Sequence, residues 1–171
     1  MTGPLILVTL GTDHHPFDRL VAWIERWVDL RGVGCARFLI QTGATRPPRV
    51  TPWRDYLPPG EFESVVDRAA AVVTHGGSTV VQCRRRGHVP IVVPRRPELG
   101  EHVDDHQVRL AKMLAERGQV WLADSEDRLH TAIDLCVQDP MTFRTAGADD
   151  GPTPAVERFE EAVRRLFQTN S

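Results

Sequence analysis

Three short clusters in the sequence combine glycines, hydroxyl groups and ionisable side chains. They occupy residues 11–15, 75–79 and 95–107. In the second cluster, glycines let the backbone approach a ligand closely, and the N–H groups that open the following helix attract anions. We therefore predict a diphosphate cradle formed by Gly76, Gly77, Ser78 and Thr79. The alternative is an ordinary turn between a strand and a helix, with Ser78 as the helix N-cap.

The second cluster lacks the signatures of two common nucleotide sites. No lysine follows its glycines as in a P-loop, and the GxGxxG pattern of dinucleotide-binding domains is absent. We therefore expect neither an ordinary P-loop nor an ordinary dinucleotide site.

The third cluster carries charges of both signs. Arg95 and Arg96 follow a predicted strand, where guanidinium groups can neutralise a diphosphate. The side chains after them could bond the hydroxyl groups of a ribose or a sugar; these are Glu101, Asp105, His106 and Gln107. For the acidic members, the alternative is simple capping of a helix N-terminus.

Histidines supply the candidate acid–base and metal chemistry. His102 and His106 have the spacing of a zinc-binding helix, but the stretch HVDDH lacks the glutamate of the metalloprotease motif. We therefore expect no metal, and a metal-dependent hydrolase is the weaker alternative. His15 is the first candidate for a general base, because histidine can accept a proton near neutral pH. His75 is the second candidate, with a structural role as its alternative.

The elements that must position these clusters alternate between strands and helices. Apolar runs predict buried strands at residues 5–10, 36–40, 69–74, 89–94 and 119–122, and a short strand at 50–53. Periodicity and caps predict helices at 16–32, 61–68, 102–117 and 125–137, and one that begins at Ser78. This alternation is typical of a doubly wound parallel α/β sheet, which binds ligands beyond the carboxyl ends of its strands.

Length and composition limit the class of protein. The chain has 171 residues, a hydrophobic fraction of 41% and a formal net charge of -2, which indicates a soluble domain and no nucleic-acid partner. Three scattered cysteines favour reduced thiols, and the apolar N-terminal run is too short to span a bilayer. We therefore expect a cytoplasmic protein that meets a membrane only through a surface or a partner.

The predicted domain organisation has three parts. Residues 1–145 form the α/β domain, and residues 146–154, rich in glycine, proline and aspartate, form a linker. Residues 155–171 form an amphipathic helix whose apolar stripe packs either on this domain or on a partner.

Four stretches, in the same order, resemble the C-terminal domain of family 28 glycosyltransferases. They are LILVTLGT with PFDRL at residues 5–20, AVVTHGG at 71–77, GHVPIVVPRR at 87–96 and GEHVDDHQ at 100–107. More narrowly, the chain is similar to the donor-binding subunits of split GT-B enzymes, which include the catalytic subunit of the dolichol-pathway N-acetylglucosaminyltransferase and PssE-type exopolysaccharide proteins. The resemblance spans residues 5 to about 123.

This resemblance implies a Rossmann-like C-terminal half of a GT-B glycosyltransferase of the hexosyltransferase type. Such a domain would bind a nucleotide sugar, usually UDP-linked, and act in polysaccharide biosynthesis on a lipid-linked or glycoside acceptor. A membrane-anchored partner subunit would hold the acceptor at the inner membrane face, and neither a cofactor nor a metal would be needed. The cradle would face the diphosphate, Glu101 and Gln107 the hydroxyl groups, and Gly11 and Thr12 the cleft between the subunits.

Two departures from the family pattern define the main alternative. The family loop commonly reads His-Ala/Gly-Gly-x-Gly-Ser/Thr, whereas here Ser78 follows Gly77 directly. Gln82 stands where an acidic residue is frequent. The alternative function is therefore a non-catalytic nucleotide-sugar-binding or regulatory subunit, and the alternative assembly of the isolated chain is a homo-oligomer.

Overall fold

Six parallel strands form the central sheet of the computed structural model, which describes residues 3–145. The strands are β1 (Leu5–Thr9), β2 (Arg37–Gln41), β3 (Trp53–Arg54), β4 (Ala71–Thr74), β5 (Ile91–Val92) and β6 (Trp121–Leu122), in the order β3-β2-β1-β4-β5-β6. The predicted doubly wound parallel sheet is confirmed. The strand order reverses between β1 and β4, and open α/β sheets bind ligands at such a switch point.

Within residues 3–145, five α-helices cover the two faces of this sheet. They are α1 (Asp18–Arg31), α2 (Pro59–Arg68), α3 (Ser78–Arg85), α4 (His106–Glu116) and α5 (Glu126–Gln138), with a 3-10 turn at Pro97–Leu99. Helices α1 and α5 pack on one face and α2, α3 and α4 on the other. In β4, Val73 points to the first face and Val72 to the second, which explains why the strands are apolar without alternation.

One predicted N-cap and one predicted helix start are wrong, each for a local reason. Ser78 is the first helical residue of α3 and not its cap, because Gly77 takes the N-cap position with a φ of 68°. Helix α4 begins at His106 and not at residue 102, because the carboxylate of Asp104 accepts a hydrogen bond from the backbone N–H of His106.

The predicted linker at 146–154 and the predicted helix at 155–171 lie outside the described residues. Within residues 3–145, no helix is both long enough and apolar enough to cross a bilayer.

A buried carboxylate fixes the loop after β2 on helix α1. Glu25 is only 3% exposed, and it accepts hydrogen bonds from Nη1 and Nη2 of Arg46 at 3.1 and 2.8 Å and from the backbone N–H of Arg49 at 2.8 Å. The bonds from Arg46 lower the pKa of Glu25 from 4.5 to about 2, against the opposing effect of burial. The ionised carboxylate therefore stabilises the folded state.

Replacing this carboxylate with an amide should destabilise the protein. We expect Glu25→Gln to lower the free energy of unfolding at pH 7 by about 2 kcal/mol, because the Arg46 guanidinium loses its charged partner. The lowered pKa means that the carboxylate stabilises fully above about pH 4.5 and progressively less as the pH falls toward 2. The difference between wild type and variant in urea unfolding should therefore shrink over that range.

Glu116→Gln, at an exposed position on α4, is the matched control and should change the free energy of unfolding little. A pH-independent difference between Glu25→Gln and wild type would contradict the proposed role of the ionised group.

Candidate functional site

A cleft of about 480 Å³ opens at the carboxyl edge of the sheet, above the switch point. The loop after β1 lines it with Gly11, Thr12 and Asp13, and the turn between β4 and α3 lines it with residues 75–79. The carboxyl ends of parallel strands meet at one edge, so loops that are distant in sequence share this cleft. Its volume falls in the range of small-molecule sites.

The predicted cradle forms the inner wall of the cleft. Gly76 and Gly77 have φ angles of 117° and 68°, which favour glycine, and the chain then enters α3 at Ser78. The hydroxyl of Thr74 closes the turn by bonding both the N–H and the carbonyl of Gly76 at 3.3 Å. All four predicted cradle residues, Gly76, Gly77, Ser78 and Thr79, line the cleft. Their role as anion ligands stays a prediction.

His75 packs over the loop after β1. A Cβ on Gly11 would lie 2.5 Å from Cε1 of His75, and a Cβ on Gly43 would lie 2.2 Å from the carbonyl oxygen of Gly11. Burial, followed by the positive charge of Arg95, lowers the pKa of His75 to about 4. His75 is therefore neutral at pH 7, and its buried Nδ1 has no hydrogen-bond partner among the described residues.

His15 stands beside the cleft, paired with Asp13. Nδ1 of His15 lies 2.5 Å from Oδ1 of Asp13, and the backbone N–H of His15 donates to the same oxygen at 2.8 Å. Burial by itself would raise the pKa of Asp13, but these hydrogen bonds outweigh it and the pKa is lowered. Asp13 lines the cleft, whereas His15 lies next to the lining and keeps 22% of its side chain exposed. Its role as a base stays a prediction.

Arg95 is not among the residues that line the cleft, and its role toward a diphosphate stays a prediction. Its guanidinium is buried and donates to the carbonyls of Leu10 at 2.5 Å, His15 at 2.6 Å and Glu101 at 3.0 Å. Arg96 is also absent from the lining and donates to the carbonyl of Asp124 at 2.5 Å. Both guanidinium groups therefore hold loops together.

Glu101 is also engaged in internal contacts and is not among the residues that line the cleft. Its carboxylate, in a residue only 4% exposed, accepts from Nε and Nη2 of Arg19 at 2.8 Å each and from the backbone N–H of Arg96 at 2.8 Å. These three donors leave about one acceptor position of the carboxylate open, and the role of Glu101 toward hydroxyl groups stays a prediction.

Of three further residues predicted to contact the nucleotide sugar, two lie at the surface and one lines the cleft. Asp105 is exposed and pairs with Arg109 one helical turn away, and exposed His106 faces Asp104, so neither lines the cleft. Gln107 does line it, and its buried Oε1 has no hydrogen-bond partner within residues 3–145.

Sequence reasoning missed several lining residues. They are Asp13, Gln41, Tyr56 and Glu63. Asp13 belongs to a cluster already singled out, and Gln41 ends strand β2, so position at a strand end could have identified both. Tyr56, in the segment between β3 and α2, and Glu63, on α2, gave no such signal. Gln82 and His102, which the sequence analysis considered for other reasons, also line the cleft.

The predicted helical pair of His102 and His106 does not exist. His102 precedes α4, and its Nε2 faces Oδ2 of Asp13 at 4.0 Å. A different group of possible metal ligands occurs in the loop after β1, where donor atoms of Asp13, His14 and His15 lie within 4.8 Å of one another.

Comparisons with known proteins agree with this fold. The family model described as Glycosyltransferase family 28 C-terminal domain matches residues 5–166. The glycotransferase of kitacinnamycin is similar at a TM-score of 0.58 and 18% identity, over 98% of this chain and 40% of that one. The calicheamicin glycosyltransferase CalG4 is similar at 0.56 and 16%, over 96% and 44%. A candidate UDP-N-acetylglucosamine 2-epimerase from Listeria monocytogenes is similar at 0.54 and 17%, over 99% and 46%.

These likenesses differ in what they establish. At such identities the solved structures show the fold alone, and the chain spans less than half the length of each. A search among curated proteins gives no match. The family match covers most of the chain and confirms the resemblance of its motifs.

The buried position of Arg95 generates a stability prediction. We expect Arg95→Met to lower the free energy of unfolding by about 3 kcal/mol, because three backbone carbonyls lose their donor. Arg96→Met removes a side chain that bonds one carbonyl and should cost less than about 1 kcal/mol. Urea unfolding of both variants at pH 7 measures the difference. Wild-type stability in Arg95→Met would show that its hydrogen bonds do not hold the loops.

Proposed function

Since the chain belongs to the family of glycosyltransferase family 28 C-terminal domains, we propose that it is the donor-binding subunit of a glycosyltransferase. It moves a sugar from a nucleoside diphosphate sugar to an acceptor that a second subunit holds. The observation that carries this proposal is the glycine turn that opens α3 on the inner wall of the cleft. The diphosphate binds there.

The N-terminus of α3 supports a diphosphate ligand, because its backbone N–H groups and the positive end of its dipole face the cleft. Within the described part of the chain the lining has no arginine or lysine and includes the carboxylates of Asp13 and Glu63, so these backbone groups supply the attraction for the negative charge. Tyr56, which is 53% exposed, lines the cleft and offers an aromatic ring on which a nucleobase can stack. The donor is a UDP-sugar, as the family resemblance implies.

The transfer needs a proton acceptor. As the acceptor hydroxyl bonds to the anomeric carbon, the bond from that carbon to the diphosphate breaks and the hydroxyl proton passes to a base. His15 is the base, because Asp13 bonds its Nδ1 and leaves Nε2 to accept a proton. His75 positions the loop after β1, because it is neutral, buried and packed against Gly11.

The acceptor site belongs to a partner in this proposal. The chain spans 40 to 46% of the similar solved structures, and the family resemblance places the acceptor on a membrane-anchored subunit. The acceptor is lipid-linked or a glycoside, the transferred group is a hexose, and the complex works in polysaccharide biosynthesis at the cytoplasmic face of the inner membrane.

Two observations favour a second candidate, a non-catalytic subunit that binds a nucleotide sugar. His15 does not line the cleft, and Gln82, which does, offers an amide where an acidic residue is frequent in the family. The hydrolase alternative loses its basis, since His102 and His106 do not share a helix.

Binding of UDP should depend on the N–H group of Ser78. Proline is tolerated at the first position of a helix but has no N–H, so Ser78→Pro removes this donor without breaking α3. We expect the affinity for UDP, measured by titration calorimetry, to fall by about tenfold or more, because a hydrogen bond to a charged group is lost.

Ser78→Ala is the matched control, since it removes the hydroxyl and keeps the N–H, and it should bind UDP more tightly than Ser78→Pro. EDTA should leave UDP binding unchanged, because the proposed contacts come from the backbone. Equal affinities of Ser78→Pro and wild type would rule out this cradle.

Transfer should require the partner subunit. We expect the isolated chain to bind UDP but to transfer no sugar, and co-expression with a membrane-anchored acceptor subunit to restore transfer to a lipid acceptor. His15→Gln should abolish transfer in that complex while leaving UDP affinity unchanged. Full transfer by the isolated chain would contradict the split-enzyme proposal, and full activity of His15→Gln in the complex would favour another base.

A further inference from the structure

A continuous row of imidazoles and carboxylates runs along the rim of the cleft. Four of the seven histidines of the chain take part, and they face only two carboxylates, Asp13 and Asp104. The loop after β1 supplies Asp13, His14 and His15, and the segment before α4 supplies His102. Imidazole and carboxylate groups are both ligands that transition-metal ions accept.

The donor atoms of Asp13, His14 and His15 lie within 4.8 Å of one another, and His102 lies next to them. Oδ1 of Asp13 lies 2.5 Å from Nδ1 of His15 and 3.6 Å from Nδ1 of His14. Oδ2 of Asp13 lies 4.0 Å from Nε2 of His102. Ligands of a tetrahedral zinc at about 2.1 Å lie about 3.4 Å from one another. The observed separations lie on both sides of that value, so small side-chain rotations bring the donors to an ion.

We propose that Asp13, His14 and His15 bind a divalent transition-metal ion, with His102 as the fourth ligand. Two or three imidazoles with one carboxylate suit Zn²⁺, whereas Mg²⁺ and Ca²⁺ prefer oxygen ligands. This ligand set differs from the helical pair that the sequence analysis rejected. The metal binds on the rim and not at the cradle, so the proposal is compatible with metal-independent binding of the donor.

Buried Arg95 holds the two ligand-bearing loops in register. Its guanidinium donates to the carbonyl of His15, itself a ligand, and to the carbonyl of Glu101, which directly precedes the ligand His102. The loops are therefore fixed relative to each other before any ion binds. Preorganisation of this kind lowers the cost of assembling a site from separate segments.

His102 has two long contacts besides the one to Asp13. The side-chain amide nitrogen of Gln107 lies 3.4 Å from Nε2, and because an amide NH₂ group can only donate, an ion at Nε2 would replace this contact. On the other side of the ring, the backbone N–H of Asp104 donates to Nδ1 at 3.4 Å, and Oδ1 of Asp104 lies 3.7 Å from the same nitrogen.

The test is direct metal binding by the full chain, with neither donor nor acceptor present. After treatment with chelator and dialysis, the protein is titrated with Zn²⁺ against a chromophoric indicator. We expect one saturable Zn²⁺ per chain, and an affinity that falls about tenfold or more in each of Asp13→Asn, His15→Ala and His102→Ala. His106→Ala is the matched control, because the imidazole of His106 faces Asp104 and not the ligand Asp13. This variant should bind Zn²⁺ as wild type does.

A second readout identifies the ligands independently of affinity. Co²⁺ in place of Zn²⁺ should give the intense visible absorption of a tetrahedral centre, and this band should be lost in Asp13→Asn while circular dichroism shows an unchanged fold. The proposal is overturned if no saturable Zn²⁺ binding occurs, or if folded Asp13→Asn and His102→Ala bind Zn²⁺ as tightly as wild type. Failure of UDP binding or of sugar transfer would leave this result untouched, since neither ligand is in the assay.

Discussion

The geometry of the candidate site depends on one buried guanidinium group. Arg95 joins the end of β1, the loop after it and the segment before α4 through the carbonyls of Leu10, His15 and Glu101. Burying a cation is costly unless its donors are satisfied, and three carbonyls within 3.0 Å meet much of that need. The two loops that carry Asp13, His15 and His102 are therefore held by backbone contacts, which leaves their side chains free for chemistry.

Close packing of backbone and imidazole sets the opposite wall of the cleft. Gly11 has a φ of 79° and lies under the ring of His75, and a side chain at Gly11 would collide with that ring. A side chain at Gly43 would likewise collide with the carbonyl oxygen of Gly11. The ends of β1, β2 and β4 thus meet at a point where only backbone fits. The cleft forms above this point, with the N-terminus of α3 as one side and the histidine-rich rim as the other.

The two proposals use different parts of this arrangement. The donor proposal rests on backbone N–H groups at a helix terminus, which act on any diphosphate and carry no information about the sugar. The metal proposal rests on side chains from two loops, whose relative position Arg95 fixes. Both proposals use His15. A neutral imidazole has one lone pair in its ring plane, and that lone pair cannot bind a metal ion and accept a proton at the same time. Occupation of the rim by a metal would therefore oppose proton transfer by this histidine.

The sequence by itself determined the sheet, its helices and the glycine turn, because these depend on local patterns. Strands buried on both faces read as continuous apolar runs, and Gly76 and Gly77 mark the junction of a strand and a helix. The family resemblance was also visible in four local motifs. The sequence could not show that Arg95 and Glu101 are turned inward, since the partners of these side chains lie up to 85 positions away in the chain. Nor could it show that His102 faces Asp13 instead of His106. Only tertiary packing decided which charged groups bond to loops and which remain at the cleft. A guanidinium or carboxylate group can pair with any suitable partner, and the fold determines which partner lies within reach.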